Sequence, residues 1–325
     1  MLIQFNSYTI RKKSIFSWCL VVILLLTICS THFTEKIYAA NDVKIKKITV
    51  LGDSVAYGYG VDECDSFPNV LAKEATQISR LNLFYSISNL AVVGDDSTDL
   101  LDRLCTDLDT INSIKSSNYV IINIGSNNLL RHISAHALKM FNAKNYNELF
   151  VKIKKNMMKN IKALTEDQLL DQKINNGIKI YNSELVQIVQ KIRSVNANVK
   201  IYMCNAYNPV TLPGLINVVD KIIFKTHVEK VCDDWIKKLN QGIAENSSTL
   251  GYKVVDIYSA IKKDGSNINS NLWQKRFDPH PTTKGYKLIA QLILNAMKWN
   301  YEFKDIDKET DFIKCGHIYD VNVAG

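Results

Sequence analysis

The chain holds seven cysteines but no Cys-x-x-Cys pair. Cys19 and Cys29 lie in the first forty residues, and Cys64, Cys105, Cys204, Cys232 and Cys315 are scattered over the rest. An odd number at wide spacing is neither a zinc pattern nor a disulfide framework. Thiols buried as small apolar residues are the expectation. No internal repeat or low-complexity tract occurs, which excludes solenoids and propellers. No basic motif interleaved with aromatics marks a nucleic-acid surface, so none is expected as a partner.

What remains is an ordinary globular composition, 46% apolar and 22% charged over 325 residues. That length allows one large domain or two small ones, with a core needing no staples. The net charge is +8; Arg11, Lys12, Lys13 and Lys36 against Glu35 fall within residues 1–40, which leaves +5 on the remainder. Such a balance suits an anionic envelope or an acidic substrate without specifying either.

Residues 1–40 stand apart. Arg11-Lys12-Lys13 precede an apolar run from Ile15 to Cys29, and Ala39-Ala40 follow. A positive start, a short apolar core and small residues near a cut describe a secretory signal peptide. The run falls short of the ~20 apolar residues of a membrane span. Tyr38 stands where the cut prefers a small residue, so an uncleaved N-terminal anchor is the alternative. Bulky Ile28 before Cys29 argues against a lipid on that cysteine. A secreted or extracytoplasmic protein is expected.

Beyond residue 40, continuous apolar runs read as strands buried on both faces: Ile48–Leu51, Leu83–Leu90, Tyr119–Ile124, Val199–Met203 and Tyr252–Ile257. Helical spacing lies between and after them, in Leu100-Leu101-Leu104-Leu108, Leu185-Ile188-Val189-Ile192, Val228-Val231-Trp235-Leu239 and Tyr286 through Met297. Strand and helix in alternation predict one layered α/β domain over residues 41–300. Residues 131–176 exceed what a crossover needs and read as an insert. Within it, residues 151–162 form a basic amphipathic stretch. Two readings stand: a solvated basic face, or a patch that rests on an anionic membrane or caps the site. Residues 301–325 are a tail of unassigned role.

Chemistry concentrates where apolar runs end. Gly52-Asp53-Ser54-Val55 follows the first strand, placing a serine hydroxyl in a turn with its N–H free. A serine needs such a fixed position and a base to become a nucleophile. No Gly-x-Ser-x-Gly occurs, so the nucleophile elbow of α/β-hydrolases is absent. A turn with Asp and Ser is as readily a plain helix cap. Asn89-Leu90-Ala91-Val92-Val93-Gly94 ends a second strand, and Ile124-Gly125-Ser126-Asn127-Asn128 a third. In a parallel sheet all three ends open on one edge, where ligands bind. The Gly94 N–H and the Asn127 amide are suitable donors to an oxyanion. Asp278-Pro279-His280-Pro281 supplies a base and a candidate orienting acid before the last helix pattern.

Ser54 in Gly-Asp-Ser-Val, Gly94, Asn127 in Gly-Ser-Asn and His280 before Pro281 match, in order, the four blocks of the SGNH (GDSL-type) hydrolases. The chain resembles that family over about residues 45–298. Ala206-Tyr207-Asn208-Pro209 and Gly285-Tyr286 look like its lysophospholipase/thioesterase-like secreted bacterial branch. The resemblance implies a three-layer α/β/α sandwich around a mostly parallel five-stranded sheet. It implies Ser54 as nucleophile, His280 as base, and the Ser54 N–H, Gly94 N–H and Asn127 amide as oxyanion donors. The family places its acid three residues before the histidine, where this chain has Phe277, so Asp278, two before, is the candidate acid. Where the family often has Asp after the block-three Asn, Asn128 would hold the same loop by neutral hydrogen bonds.

The resemblance implies a secreted serine esterase without cofactor or metal, a monomer. Its substrate would be a lipid-like or short acyl ester, including lysophospholipid. An O-acetyl esterase on envelope polysaccharide and a non-catalytic binding module are the alternatives. Against these stand plainer readings of other residues. His132, His136, His227 and His317 are expected at the surface or in the core. Asp53 is expected to stabilise the turn. Asp95, Asp96 and Asp99 before Leu100-Leu101 read as helix capping rather than a metal site.

Overall fold

A computed structural model describes residues 44–78, 83–209, 224–264 and 278–297. Residues 1–40, Phe277, Cys315, His317 and residues 301–325 lie outside them. Of the two units into which the chain divides, the smaller contributes only Lys44–Ile45 and Leu83–Phe84 to the described residues. The larger holds Lys46–Ile78 and the described residues from Tyr85 onward.

The elements run β1 (Lys44–Gly52), α1 (Ser54–Tyr57), a 3-10 turn (Glu63–Asp65), α2 (Phe67–Ile78), β2 (Leu83–Asn89), α3 (Ser97–Thr106), α4 (Leu108–Ser116), β3 (Tyr119–Asn123) and α5 (Ser126–Met140). They continue with α6 (Tyr146–Lys155), α7 (Met157–Thr165), α8 (Gln168–Val195), β4 (Lys200–Cys204), a π-type turn (Phe224–Glu229), α9 (Lys230–Leu250), β5 (Lys253–Val255), α10 (Ile257–Asp264) and α11 (Thr283–Ala296). The five strands form one sheet in the order β2-β1-β3-β4-β5. The β1–β3, β3–β4 and β4–β5 pairs are parallel.

The apolar runs are continuous because both faces of the sheet are covered. Val120, Ile122, Ile201 and Met203 pack with Leu104 of α3, Leu129 of α5, Ile188 of α8 and Leu239 of α9. Ile121, Tyr202 and Cys204, the alternate residues, pack with Leu71 of α2, Ile257 of α10 and Ile289 of α11. The architecture is thus a three-layer α/β/α sandwich. Among the described residues no helix is long and apolar enough to cross a membrane.

The strand order reverses beside β1: the chain moves to β2 on one side and returns to β3 on the other. Parallel sheets bind ligands in the crevice at that switch point. The register there is tight. Gly52 pairs with Asn123, and the Asp53 N–H donates to the Asn123 carbonyl at 3.1 Å. Gly52 has φ +145°, and a Cβ there would stand 1.9 Å from the Asn123 oxygen.

Three expectations need correction. Leu108 does not continue the buried stripe of Leu100 and Leu104; it is 70% exposed. Asp107 ends α3 and caps α4, its carboxylate accepting from the Asp109 and Thr110 N–H groups, so the helical phase restarts. Residues 151–162 are two helices, not one, with Asn156 between α6 and α7. Their apolar side, Ile153, Met158 and Ile161, is buried in the core, while Lys154, Lys155 and Lys159 are exposed. The thiols are also less uniform than expected. Cys64 is disulfide-bonded, Cys204 is buried, Cys232 half-buried and Cys105 exposed.

Gly52→Ala should destabilise the fold by more than about 3 kcal/mol, because both the dihedral and the strand spacing must give. Chemical unfolding of the variant measures this; a loss below about 1 kcal/mol would show that the β1–β3 approach can relax.

Candidate active site

Ser54 is the first residue of α1, where β1 turns out of the sheet. Asp53 caps this single turn, its Oδ1 accepting from the Val55 N–H at 2.9 Å. The other end is held as firmly: the Gly58 and Tyr59 N–H groups donate to the Ser54 carbonyl at 3.1 and 2.9 Å. The Asn89 amide, at the end of β2, donates to the carbonyls of Ala56 and Tyr57 at 3.2 and 3.3 Å. The hydroxyl is thereby aimed by the backbone rather than by a rotamer alone.

His280 reaches it from 226 residues away, Nε2 lying 2.7 Å from Ser54 Oγ. Its Nδ1 lies 2.6 Å from Asp278 Oδ1. An ionised carboxylate can only accept, so Nδ1 carries the proton and Nε2 accepts from the serine hydroxyl. The two-residue spacing works because the chain folds back through Pro279. Asp278 Oδ1 also accepts the His280 backbone N–H at 3.1 Å, the side-chain turn that aspartates favour. Pro279 is anchored in turn, its carbonyl accepting from Tyr207 OH at 2.6 Å. The Tyr59 ring lies 4.7 Å from the imidazole, tilted by 47°. Its carbonyl accepts from Tyr286 OH at 2.8 Å.

Asn127 sits one residue into α5, at the end of β3. One amide hydrogen donates to the Asp95 carbonyl at 2.8 Å; the second has no acceptor among the described residues, and the side chain lines the same cleft as Ser54 and His280. That bond also joins the Asn127 helix to the loop carrying Gly94. Gly94 has φ +90°, and a Cβ there would meet nothing within 4 Å, so open space lies beside it. Among the described residues neither the Ser54 nor the Gly94 N–H donates to another protein group.

The Gly94 loop is clamped by two arginines. Arg103 of α3 donates to Asp95 Oδ2 at 2.9 Å and to the Leu90 carbonyl at 2.8 Å. Arg131 of α5 donates to the Gly94 carbonyl at 2.5 Å and pairs with Asp99 and Asp96. Asp96 and Asp99 form a reciprocal cap at the start of α3. Asn128 holds the same loop without charge: it accepts the Ser97 N–H at 3.1 Å and donates to Ser97 Oγ at 2.7 Å. Among the described residues, His132, His136 and His227 do not line this cleft; His136 is buried 3.3 Å from Asp167, and His227 lies 3.9 Å from Glu166.

Sequence reading did not assign Tyr59, Arg103 or Arg131. Tyr207 it marked only through the family-like segment around it, and Tyr286 through such a segment and through the last helix pattern. All five act by contacts across long sequence separations, which leave no periodic or turn signal.

Asp53 is 1% exposed, and its Oδ2 has no hydrogen-bond partner among the described residues. Burial pushes its carboxyl up to about 7, partly opposed by the N–H groups of Val55 and Ala56. The imidazole is therefore oriented by Asp278, while Asp53 faces the interior.

The model of the GDSL-like Lipase/Acylhydrolase family matches residues 50–288. Among solved structures, the lipase Lip_vut3 from a goat rumen metagenome is 18% identical, with a TM-score of 0.54 over 77% of this chain and 97% of that one. The extracellular lipase of Streptomyces rimosus is 16% identical, with a TM-score of 0.51 over 77% and 99%. Phospholipase A1 of Streptomyces albidoflavus NA297 is 16% identical, with a TM-score of 0.50 over 78% and 99%. At these identities the likeness is one of fold. No curated protein matches.

The raised carboxyl of Asp53 has a signed consequence. Between about pH 4 and 7 the native state keeps a proton that the unfolded chain has released. This group's contribution to stability therefore falls as pH rises through that window and is flat above it. Asp53→Asn keeps the cap but cannot ionise. From pH 4 to 8 its stability should improve relative to the native chain by up to ~4 kcal/mol, since each tenfold difference in proton affinity between folded and unfolded chain is worth about 1.4 kcal/mol. Parallel stability curves in urea unfolding would contradict the assignment.

Proposed function

The chain belongs to the GDSL-like lipase/acylhydrolase family, a serine hydrolase of carboxylic esters, and on that premise we propose that Ser54 is its nucleophile and an ester with an apolar acyl chain its substrate. The observation that carries the reading is the continuous relay from Asp278 Oδ1 to His280 Nδ1 at 2.6 Å and from Nε2 to Ser54 Oγ at 2.7 Å.

His280 Nε2 takes the hydroxyl proton as Ser54 Oγ attacks the ester carbonyl. Negative charge grows on the carbonyl oxygen, where the Ser54 N–H, the Gly94 N–H and the free hydrogen of the Asn127 amide donate to it. One such donor is worth ~3 kcal/mol of transition-state stabilisation. The imidazolium then protonates the leaving alcohol, and the same nitrogen activates water to release the acyl group. Asp278 holds the Nδ1 proton and offsets the imidazolium charge.

The preference for an apolar acyl chain rests on the cleft. Beyond Ser54, Asn127 and His280 it is walled by Leu129, Leu130 and Ile133 of α5 and by Trp235 and Ile236 of α9. Such walls favour a hydrocarbon chain over a sugar-borne acetate, by about 0.8 kcal/mol per buried methylene. We further read the basic start and apolar run of residues 11–29 as an export signal, so that the ester is met outside the cytoplasm. N-terminal sequencing of the protein from a secreting host tests this; a chain recovered in the cytoplasm with residue 1 intact would contradict it.

An organophosphonate should label Ser54, as read by peptide mass spectrometry; a folded protein without that label would sink the mechanism. His280→Ala should lower kcat by at least about 10³-fold, and Asp278→Ala by about 10²-fold or more. Near-full turnover in Asp278→Ala would remove Asp278 from the relay. A p-nitrophenyl ester series from acetate to palmitate should favour chains longer than acetate. A preference for acetate would favour O-acetyl polysaccharide instead.

A further inference from the structure

We propose that Trp235 closes the acyl cleft and sets the longest chain it accepts, an inference that rests on the functional reading above. Two concavities meet at this side chain. The first is the cleft of Ser54 and His280, about 640 Å³ counted out to open solvent. The second, about 860 Å³ on the same measure, lies between the junction of α7 and α8 and the first turns of α9.

Helical geometry makes Trp235 the boundary. Val231, Asp234, Trp235 and Lys238 border the second concavity. These are positions i, i+3, i+4 and i+7, one face of α9. Cys232, Trp235 and Ile236 border the first, a neighbouring face of the same helix. Trp235 is the α9 residue common to both, and its exposure is only 3%.

The indole is held in place. Its Nε1 donates to Asp171 Oδ1 at 2.8 Å, and Asp171 Oδ2 accepts from the Asn175 amide at 2.8 Å. A chain growing from the acylated serine along the α5 and α9 side chains meets a tethered ring, not a flexible one. The ring is part of the buried core and also borders the second concavity. A smaller residue would join the two concavities.

The test is the p-nitrophenyl ester series on the full-length protein and its Trp235→Ala, Trp235→Leu and Trp235→Phe variants. In the native enzyme kcat/KM should rise by about fourfold per added methylene and then break at a definite length. Trp235→Ala should move that break outward by two carbons or more, and raise the long-to-short ratio at least tenfold. Trp235→Leu should give a smaller shift. Trp235→Phe keeps a ring without the N–H tether, and should blur the break.

An unchanged ratio in any smaller variant that still cleaves the shortest ester would overturn the assignment. Should the alanine and leucine variants fail to fold, alkylphosphonates of increasing length on the native enzyme decide. A break in inactivation rate at the same length supports the wall, and a rate without a break refutes it. A native protein that neither labels at Ser54 nor cleaves any ester takes the functional reading down, and this one with it. A reactive enzyme with no length effect removes Trp235 alone.

Discussion

The close approach of β1 and β3 at Gly52 and Asn123 is the constraint on which the rest depends. Two parallel strands end at one level because a glycine lets the Asn123 carbonyl occupy the space a side chain would take. That carbonyl receives the Asp53 N–H, so the next residue leaves the sheet in a fixed direction. Ser54 inherits its position from this hydrogen bond. The end of β3, tied to the same point, carries Asn127 away on the other side of the crevice. The Ser54 hydroxyl and the Asn127 amide are thus spaced by backbone geometry, before any side-chain contact forms.

The remaining groups are brought in by side-chain tethers. Tyr207 and Tyr286 fasten the segments carrying Pro279 and Tyr59, so the imidazole is held from both sides. Arg103 and Arg131 fasten the Gly94 loop through its own carbonyls and acids. Loop backbone is otherwise the most mobile part of a fold. Catalysis by preorganised donors requires that they not reorient as charge develops. Arginine suits this task because its planar fork meets carbonyl and carboxylate together.

Ser54, Gly94 and Asn127 were singled out because each stands where an apolar run stops and glycine or an amide begins, and His280 because it lies between two prolines just before the last helix pattern. Such transitions are local, and local signals survive in a linear reading. Asp278 was less legible. Whether a carboxylate two residues before a histidine reaches its ring depends on the turn at Pro279, which spacing alone does not specify. Leu108 was misplaced by following apolar spacing across Asp107, although that aspartate is itself a stop-and-start signal. The basic stretch at 151–162 hid a break at Asn156, because no glycine or proline there marks where one helix stops and the next starts.

The amino-acid sequence by itself determined the layered α/β class, the approximate carboxyl ends of the strands and the residue types available for acyl transfer. Periodicity and turn chemistry are properties of neighbours along the chain. Only the tertiary structure decided that Asp278 faces His280, that Asp53 is sealed in the interior, and that Trp235 stands between two concavities. Those outcomes depend on which residues from distant segments exclude water from the same place, and no local pattern records that.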